Sequence, residues 1–366
     1  MHVSMPHMGN IYVPFKAIFK RLGVNFIMPP ISNQHTLSLG SRYSPEGLCI
    51  PFKMTLGNLI EAADMGATTL LMPGGYGICR LGYYTRVQEQ ILRNLGYDIE
   101  IIQMGVSERK FLGILDMIRQ VSGDVPWYRI VSAFRFGLSK LNTMDNIERM
   151  AQKVRPVELE KGTASRLYAQ AVIAIDKADE YDTLKKVGKD FTNQMKQIPR
   201  DEKAEPLIVG VTGEFYVLLE PFSSFDIEQE LGRLGVEVRR STFVSEWTKF
   251  SFFLNPFGVN EKSRIHKAAL PYLKRDVGGD GWESVGEKVL HAAEYDGIVH
   301  LAPFTCMPEI IAQNIMPSTR EKIPVLTILC DEQIAKAGVL TRLEAFVDLL
   351  VRKRRAQNKR PRGAAV

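Results

Sequence analysis

Long apolar runs are the first thing missing from this sequence. No stretch approaches the roughly 18 consecutive apolar residues of a membrane-crossing helix, and the N-terminus has no apolar core of the kind that marks a secretory signal, so a cytoplasmic protein with no membrane partner is expected. Cysteine is scarce as well. Four among 366 residues do not make a disulfide framework where thiols are kept reduced, and none falls in the C-x(2–4)-C pairs of a structural zinc site. No G-x-x-x-x-G-K-[ST] loop is present, and "GGYGIC" lacks the G-x-G-x-x-G spacing, which argues against bound ATP or a dinucleotide. Nucleic-acid module patterns are absent too. The net charge of +6 is concentrated in "RKRRAQNKRPRGAAV", where seven Lys and Arg meet no acid. That end reads as a solvated tail, disordered over 355–366, rather than a nucleic-acid arm.

What is present suits a soluble globular chain: 45% hydrophobic and 24% charged, and at 366 residues long enough for two cores. Strand-like and helix-like segments alternate at the start. "VSMP" is followed by helix "NIYVPFKAIFKRLG", strand "VNFIMP", helix "PFKMTLGNLIEAADMG", strand "ATTLLMP", helix "RLGYYTRVQEQILRNLG" and strand "YDIEIIQM". Helices closed by glycine and followed at once by a buried-type strand indicate parallel α/β winding. Between about 106 and 205 the strand signals vanish. "KFLGILDMIRQV" and a long charged stretch, 163–198, have helical period, and "PRDEKAEP" reads as a linker. Alternation then resumes through "PLIVGVTG", "VEVRRS", "IVHLAP" and "PVLTILC" to the closing helix "TRLEAFVDLLVRKRR". The expected fold is α/β, with two doubly wound parallel-sheet domains of Rossmann or flavodoxin type, 1–105 and 206–354, and a helical segment and linker, 106–205, between them.

Three cysteines fall in loops that lead from strands into helices, where open α/β sheets bind ligands. Cys49 in "PEGLCIPFK" and Cys306 in "APFTCMPEI" share a Cys-x-Pro pattern, and Cys79 follows "ATTLLMP" through "GGYGI". Proline is tolerated at the first helical positions because its missing N–H has no partner there, so each Cys-x-Pro cysteine is expected at or beside an N-cap. Unpaired N–H groups and the helix dipole would favour a thiolate there, with Lys53 and Arg80 adding positive charge. Spacing alone leaves three uses open: a zinc site, a nucleophilic cysteine with a histidine base, or an iron–sulfur cluster gathered from distant cysteines.

The stretches "SPEGLCIPFKMTLGNLIEAADMGA", "GICRLGYYTRVQEQILRNLGY", "HLAPFTCMPEIIA" and "DEQIAKAGVLTRLEAFVDLL" resemble the 2-hydroxyacyl-CoA dehydratase and benzoyl-CoA reductase family, specifically its stand-alone CoA-protein-activase-like members. The similarity runs from "MPHMGN" to "TRLEAF". It implies a 4Fe-4S cluster, or a double cubane as in some relatives, held between two α/β domains by Cys49, Cys79 and Cys306, with one iron left open. The activity implied is low-potential electron transfer to a difficult reduction or a reductive dehydration of the lyase type. The partners implied are an ATP-dependent iron–sulfur activase and a second dehydratase-like subunit or second copy of the chain. The acyl-CoA pocket residues of the dehydratases have no identifiable counterpart here. An alternative is a non-catalytic accessory subunit that docks through the charged helix near 167–198, and a third is a sugar or nucleotide-sugar transferase, which would leave the repeated Cys-x-Pro unexplained.

Other residues have plainer readings. Cys330 at the end of "PVLTILC" is expected to be a small core hydrophobe, His300 a satisfied core histidine, and His7 a loop histidine of structural or solvated type. Glu309 suits the first turn after Cys306, where the dipole stabilises a carboxylate, and Glu46 flanks Cys49. Glu214 is placed to line the cleft, and Tyr83 and Tyr84 either shield a cluster or belong to the core.

Overall fold

The computed structural model describes residues 1–74, 79–104, 117–240, 242–243, 261–333 and 335–358. Its framework is two four-stranded sheets, each entirely parallel. Strands β1 (His2–Ser4), β2 (Asn25–Phe26), β3 (Thr69–Pro73) and β4 (Glu100–Met104) form the first in the order β2-β1-β3-β4. Strands β5 (Leu207–Gly213), β6 (Val236–Arg240), β7 (Gly297–Pro303) and β8 (Val325–Cys330) form the second in the order β6-β5-β7-β8. The two orders are the same. β7 is buried at every residue, as a parallel strand covered on both faces must be. In each sheet the strand order reverses between its first and third strands, leaving a crevice at their carboxyl ends.

Helices α1 (Tyr12–Leu22), α2 (Gln34–Tyr43), α3 (Ile50–Asp64) and α4 (Leu81–Asn94) accompany the first sheet. α1 buries Val13, Ala17, Ile18 and Leu22 and stops at Gly23, which is left-handed at φ 74°. Between the sheets run α5 (Trp127–Val154), α6 (Thr163–Lys177) and α7 (Tyr181–Gln197), which share a separate core with α1 built on Phe136, Met144, Ile147, Ile175 and Met195. The single long helix expected over 163–198 is two helices. The chain turns extended at Ala178 and Glu180, where the Asp179 carboxylate receives Lys20 at 2.7 Å and its carbonyl receives Arg21 at 2.6 Å. These bonds to α1 override local helix propensity. Of "KFLGILDMIRQV", residues 110–116 lie outside the described residues and 117–121 are helical.

The second sheet carries α8 (Phe215–Leu219), α9 (Ile227–Arg233), α10 (Glu261–Ala269), α11 (Gly281–Leu290), α12 (Met307–Ile315) and α13 (Lys336–Asn358). α13 continues through the basic run, so residues 355–358, expected to be disordered, are helical. Arg354 anchors that end on Asp296 at 3.0 Å and on the Glu205 carbonyl at 2.9 Å. Residues 359–366 of the basic tail lie outside the described residues.

The two sheets are joined through the helices and loops that flank them. Leu37, Ile50 and Met54 join the apolar cluster of the second sheet with Val211, Leu218 and Leu301. The Gly9 N–H donates to Glu220 Oε2 at 2.9 Å. Gly9 sits at φ +56°, and a Cβ there would lie 2.2 Å from the Leu219 carbonyl oxygen, so only glycine fits. Lys53 pairs with Glu332 at 2.6 Å. Among the described residues no helix is long and apolar enough to cross a membrane.

Candidate functional site

Cys49 is the N-cap of α3 and Cys306 the N-cap of α12, both with extended backbone and a proline in the first turn. The proline is the second helical residue in each case, one place later than the pattern suggests, and still occupies one of the positions whose N–H has no helical partner. Cys79 lies two residues before α4, immediately ahead of its N-cap Arg80. Cys49 and Cys306 are buried and Cys79 is half-buried.

These three thiols share one electrostatic neighbourhood. Its centre is Glu214, the residue after β5, whose Oε2 accepts the Val217 N–H at 2.9 Å. Burial pushes its carboxyl up to about 7, and its charge in turn pushes up the thiols of Cys49, Cys79 and Cys306. Cys49 also acts on Cys306, and both Cys49 and Cys79 act on Tyr84. On the fourth side the Phe215 N–H donates to Asp280 Oδ2 at 3.0 Å. The neighbouring Gly279, at φ +53°, faces both loops: a Cβ there would lie 3.1 Å from Pro308 Cγ and 4.0 Å from Cys79 Sγ. The loop before α11 thus closes against Cys79 and the start of α12. The run "VGGDG", two successive glycines ahead of a helix, is its signal in the sequence.

The expectation that the helix N-termini lower the thiol pKa values is overturned. Burial dominates, carrying Cys49 up to about 11 and raising Cys79 and Cys306 as well. The N–H groups of Phe52 and Glu309 favour the thiolates of Cys49 and Cys306, but neither sulfur makes a capping hydrogen bond in the present state. Burial thus favours the protonated thiol at all three positions. Lys53 does not serve as the counter-charge, because its ammonium, only 5% exposed as a side chain, is taken by Glu332.

Tyr84 is buried, hydrogen-bonded to Cys49 Sγ, and packed edge-on against Phe52 at 4.9 Å. Tyr83 is 68% exposed and shields nothing. Glu309 does occupy the first turn of α12, yet its Oε2 is engaged by His300 Nε2 at 2.6 Å and Ser284 Oγ at 2.8 Å, and its buried Oε1 has no partner. His300 is fully buried and completed by Thr327 at 3.3 Å, a satisfied core histidine. His7 is buried, with Nε2 on the Pro29 carbonyl at 2.8 Å, and burial lowers its pKa; it is structural. Cys330 belongs to the core cluster with Val211 and Ile328. Glu46 is exposed.

Among the described residues no group of three or more His, Cys, Asp and Glu side chains is gathered closely enough to hold one metal ion. Thiolates on separate irons of a cluster stand farther apart than ligands of a single ion, and three sulfurs delivered from three loops are a donor set of the chemical kind such a cluster takes. No protein-family model matches the chain, and no curated protein matches it.

Proposed function

We propose that this chain is a cytoplasmic iron–sulfur protein of the 2-hydroxyacyl-CoA dehydratase type, in which two flavodoxin-like domains, 1–105 and 206–354, hold a 4Fe-4S or double-cubane cluster on Cys49, Cys79 and Cys306. The observation that carries the reading is the duplicated N-cap: Cys49 and Cys306 begin α3 and α12 in the same way, while Cys79 enters the same field of Glu214 from a third loop. Two strand-order reversals of the same kind support a shared crevice as the ligand position. When bound, the cluster supplies a low-potential electron to a difficult reduction or a reductive dehydration.

The chain's own residues do the rest. Loss of the thiol protons turns three neutral groups, two of them buried, into ligands, and the first-turn N–H groups of α3 and α12 offset the resulting charge. Tyr84 and Phe52 close the Cys49 side against water, and Glu214 holds or yields a proton beside the three sulfurs. With no nucleotide-phosphate loop in the chain, the ATP-driven delivery of electrons belongs to a separate activase, with a second dehydratase-like subunit or second copy completing the assembly. The test is anaerobic reconstitution followed by iron and sulfide analysis. Cys49→Ser, Cys79→Ser and Cys306→Ser should each abolish the brown chromophore while Cys330→Ser keeps it; a colourless, iron-free wild-type protein would refute the reading.

A further inference from the structure

Arg80 is exposed and stands next to Cys79, but its hydrogen bonds lie on the other two cysteine loops. One terminal nitrogen donates to the Gly47 carbonyl at 3.0 Å, and the other to the Thr305 carbonyl at 2.7 Å. Gly47 is two residues before Cys49 and Thr305 is the residue before Cys306. A single guanidinium therefore fastens all three cysteine loops, and through Thr305 it ties the first sheet's loops to the second's.

Both anchor points need holding. A Cβ at Gly47 would meet nothing within 4 Å, so that turn has little packing of its own. Thr305 stands at φ 67°, one of three non-glycine residues with positive φ among those described. For a β-branched residue the left-handed region is sterically disfavoured, and such a conformation persists only where its surroundings fix it. The Arg80 bond falls on the carbonyl of that strained residue. The backbone turn that Thr305 makes there delivers Cys306 to the start of α12.

We propose that Arg80 is a positioning residue that sets the relative placement of Cys49, Cys79 and Cys306 and so preassembles the cluster site. The proposal rests on the cluster reading given above. Its chemical basis is the planar fork: two terminal nitrogens held rigidly apart reach carbonyls on two different loops at once, a spread that the single nitrogen of a lysine lacks. Arg80 also favours the thiolates of Cys49 and Cys79 by its charge, so the experiment must separate charge from fork.

The experiment uses the reconstituted full chain under anaerobic conditions and follows iron transfer to a ferrous chelator, together with the electron paramagnetic resonance line shape of the reduced protein. Arg80→Lys keeps the charge and loses the fork. It is expected to release iron roughly tenfold faster, the loss of one charge-assisted hydrogen bond, with a broadened resonance and unchanged far-ultraviolet circular dichroism. Arg80→Gln, the second variant, should release iron faster still. Adding Thr305→Gly to Arg80→Lys should recover several-fold of the retention, because glycine adopts the left-handed turn without help. Wild-type retention and line shape in either Arg80 variant would overturn the proposal, as would a double variant no better than Arg80→Lys alone. If instead the three Cys→Ser variants keep the wild-type iron content, the cluster reading itself has failed and this proposal with it.

Discussion

Glu220 makes the stability of the junction between the sheets depend on pH. It follows α8, is 2% exposed, and accepts the Gly9 N–H at 2.9 Å across the junction. Burial outweighs the bonds from Gly9, Phe222 and Ser32 and carries the carboxyl from its ordinary 4.5 up to about 7, with Asp226 acting in the same direction. The folded protein thus keeps this proton to about pH 7, whereas the unfolded chain releases it near 4.5. The stabilising contribution of the neutral carboxyl is fully present below the lower value and lost as pH rises through the upper one. A displacement of that size corresponds to about 3 kcal/mol. Glu220→Gln keeps a carbonyl oxygen for the Gly9 N–H and has no charge to bury. Urea unfolding from about pH 4.5 to about pH 8 should find the two proteins equally dependent on Gly9 at the acid end. The variant should gain about 3 kcal/mol relative to wild type at the alkaline end. Glu214, whose carboxyl is pushed up in the same way, titrates in both proteins and cancels in the difference. A difference that stays constant across the range, or that grows toward acid pH, would refute the reasoning.

Three further outcomes are expected. Gly279→Ala forces a side chain into the left-handed region and brings its Cβ to 3.1 Å from Pro308 Cγ, at a cost of about 1–2 kcal/mol; urea midpoints should fall accordingly and the reconstituted protein should hold less iron. Glu309→Ala leaves His300 and Ser284 without their shared buried carboxylate, and about 3 kcal/mol of stability should be lost, read as a lower midpoint with an unchanged slope. Tyr84→Phe removes the hydroxyl that favours the Cys49 thiolate while keeping the ring against Phe52; the alkylation rate of Cys49 in the metal-free protein should fall, with stability lowered by about 1 kcal/mol.

The parallel strands were legible in the sequence because they are local and apolar: "ATTLLMP", "PLIVGVTG" and "IVHLAP" became β3, β5 and β7. The N-caps at Cys49 and Cys306 were legible too, since proline fixes a helix start within two residues. What escaped was set by tertiary contact. α2 has a weak apolar pattern, and it forms where Asn33 builds a capping box and where Gly40 and Gly57 let its backbone touch that of α3. A Cβ at Gly40 would lie 1.7 Å from the Lys53 carbonyl oxygen. The 28-residue α5 gathers its face from scattered positions that α1 and the α6–α7 hairpin complete. That hairpin also removes the continuous charged helix on which the accessory-subunit alternative relied. The sign of the thiol pKa shifts is not legible, because a helix dipole acts at a terminus whether buried or not, while the larger cost of desolvating sulfur depends on tertiary packing, such as that of Cys49 among Phe52, Leu56 and Tyr84. Lys53 was misread for the same reason: its partner Glu332 is distant in sequence.

Iron located crystallographically in anaerobically reconstituted protein, by anomalous scattering at the iron edge, addresses the central claim most directly. The account predicts one compact iron-rich centre bounded by the sulfurs of Cys49, Cys79 and Cys306, with Cys330 uninvolved. Iron bound away from those loops, or a centre that reaches only one of the three sulfurs, would contradict it.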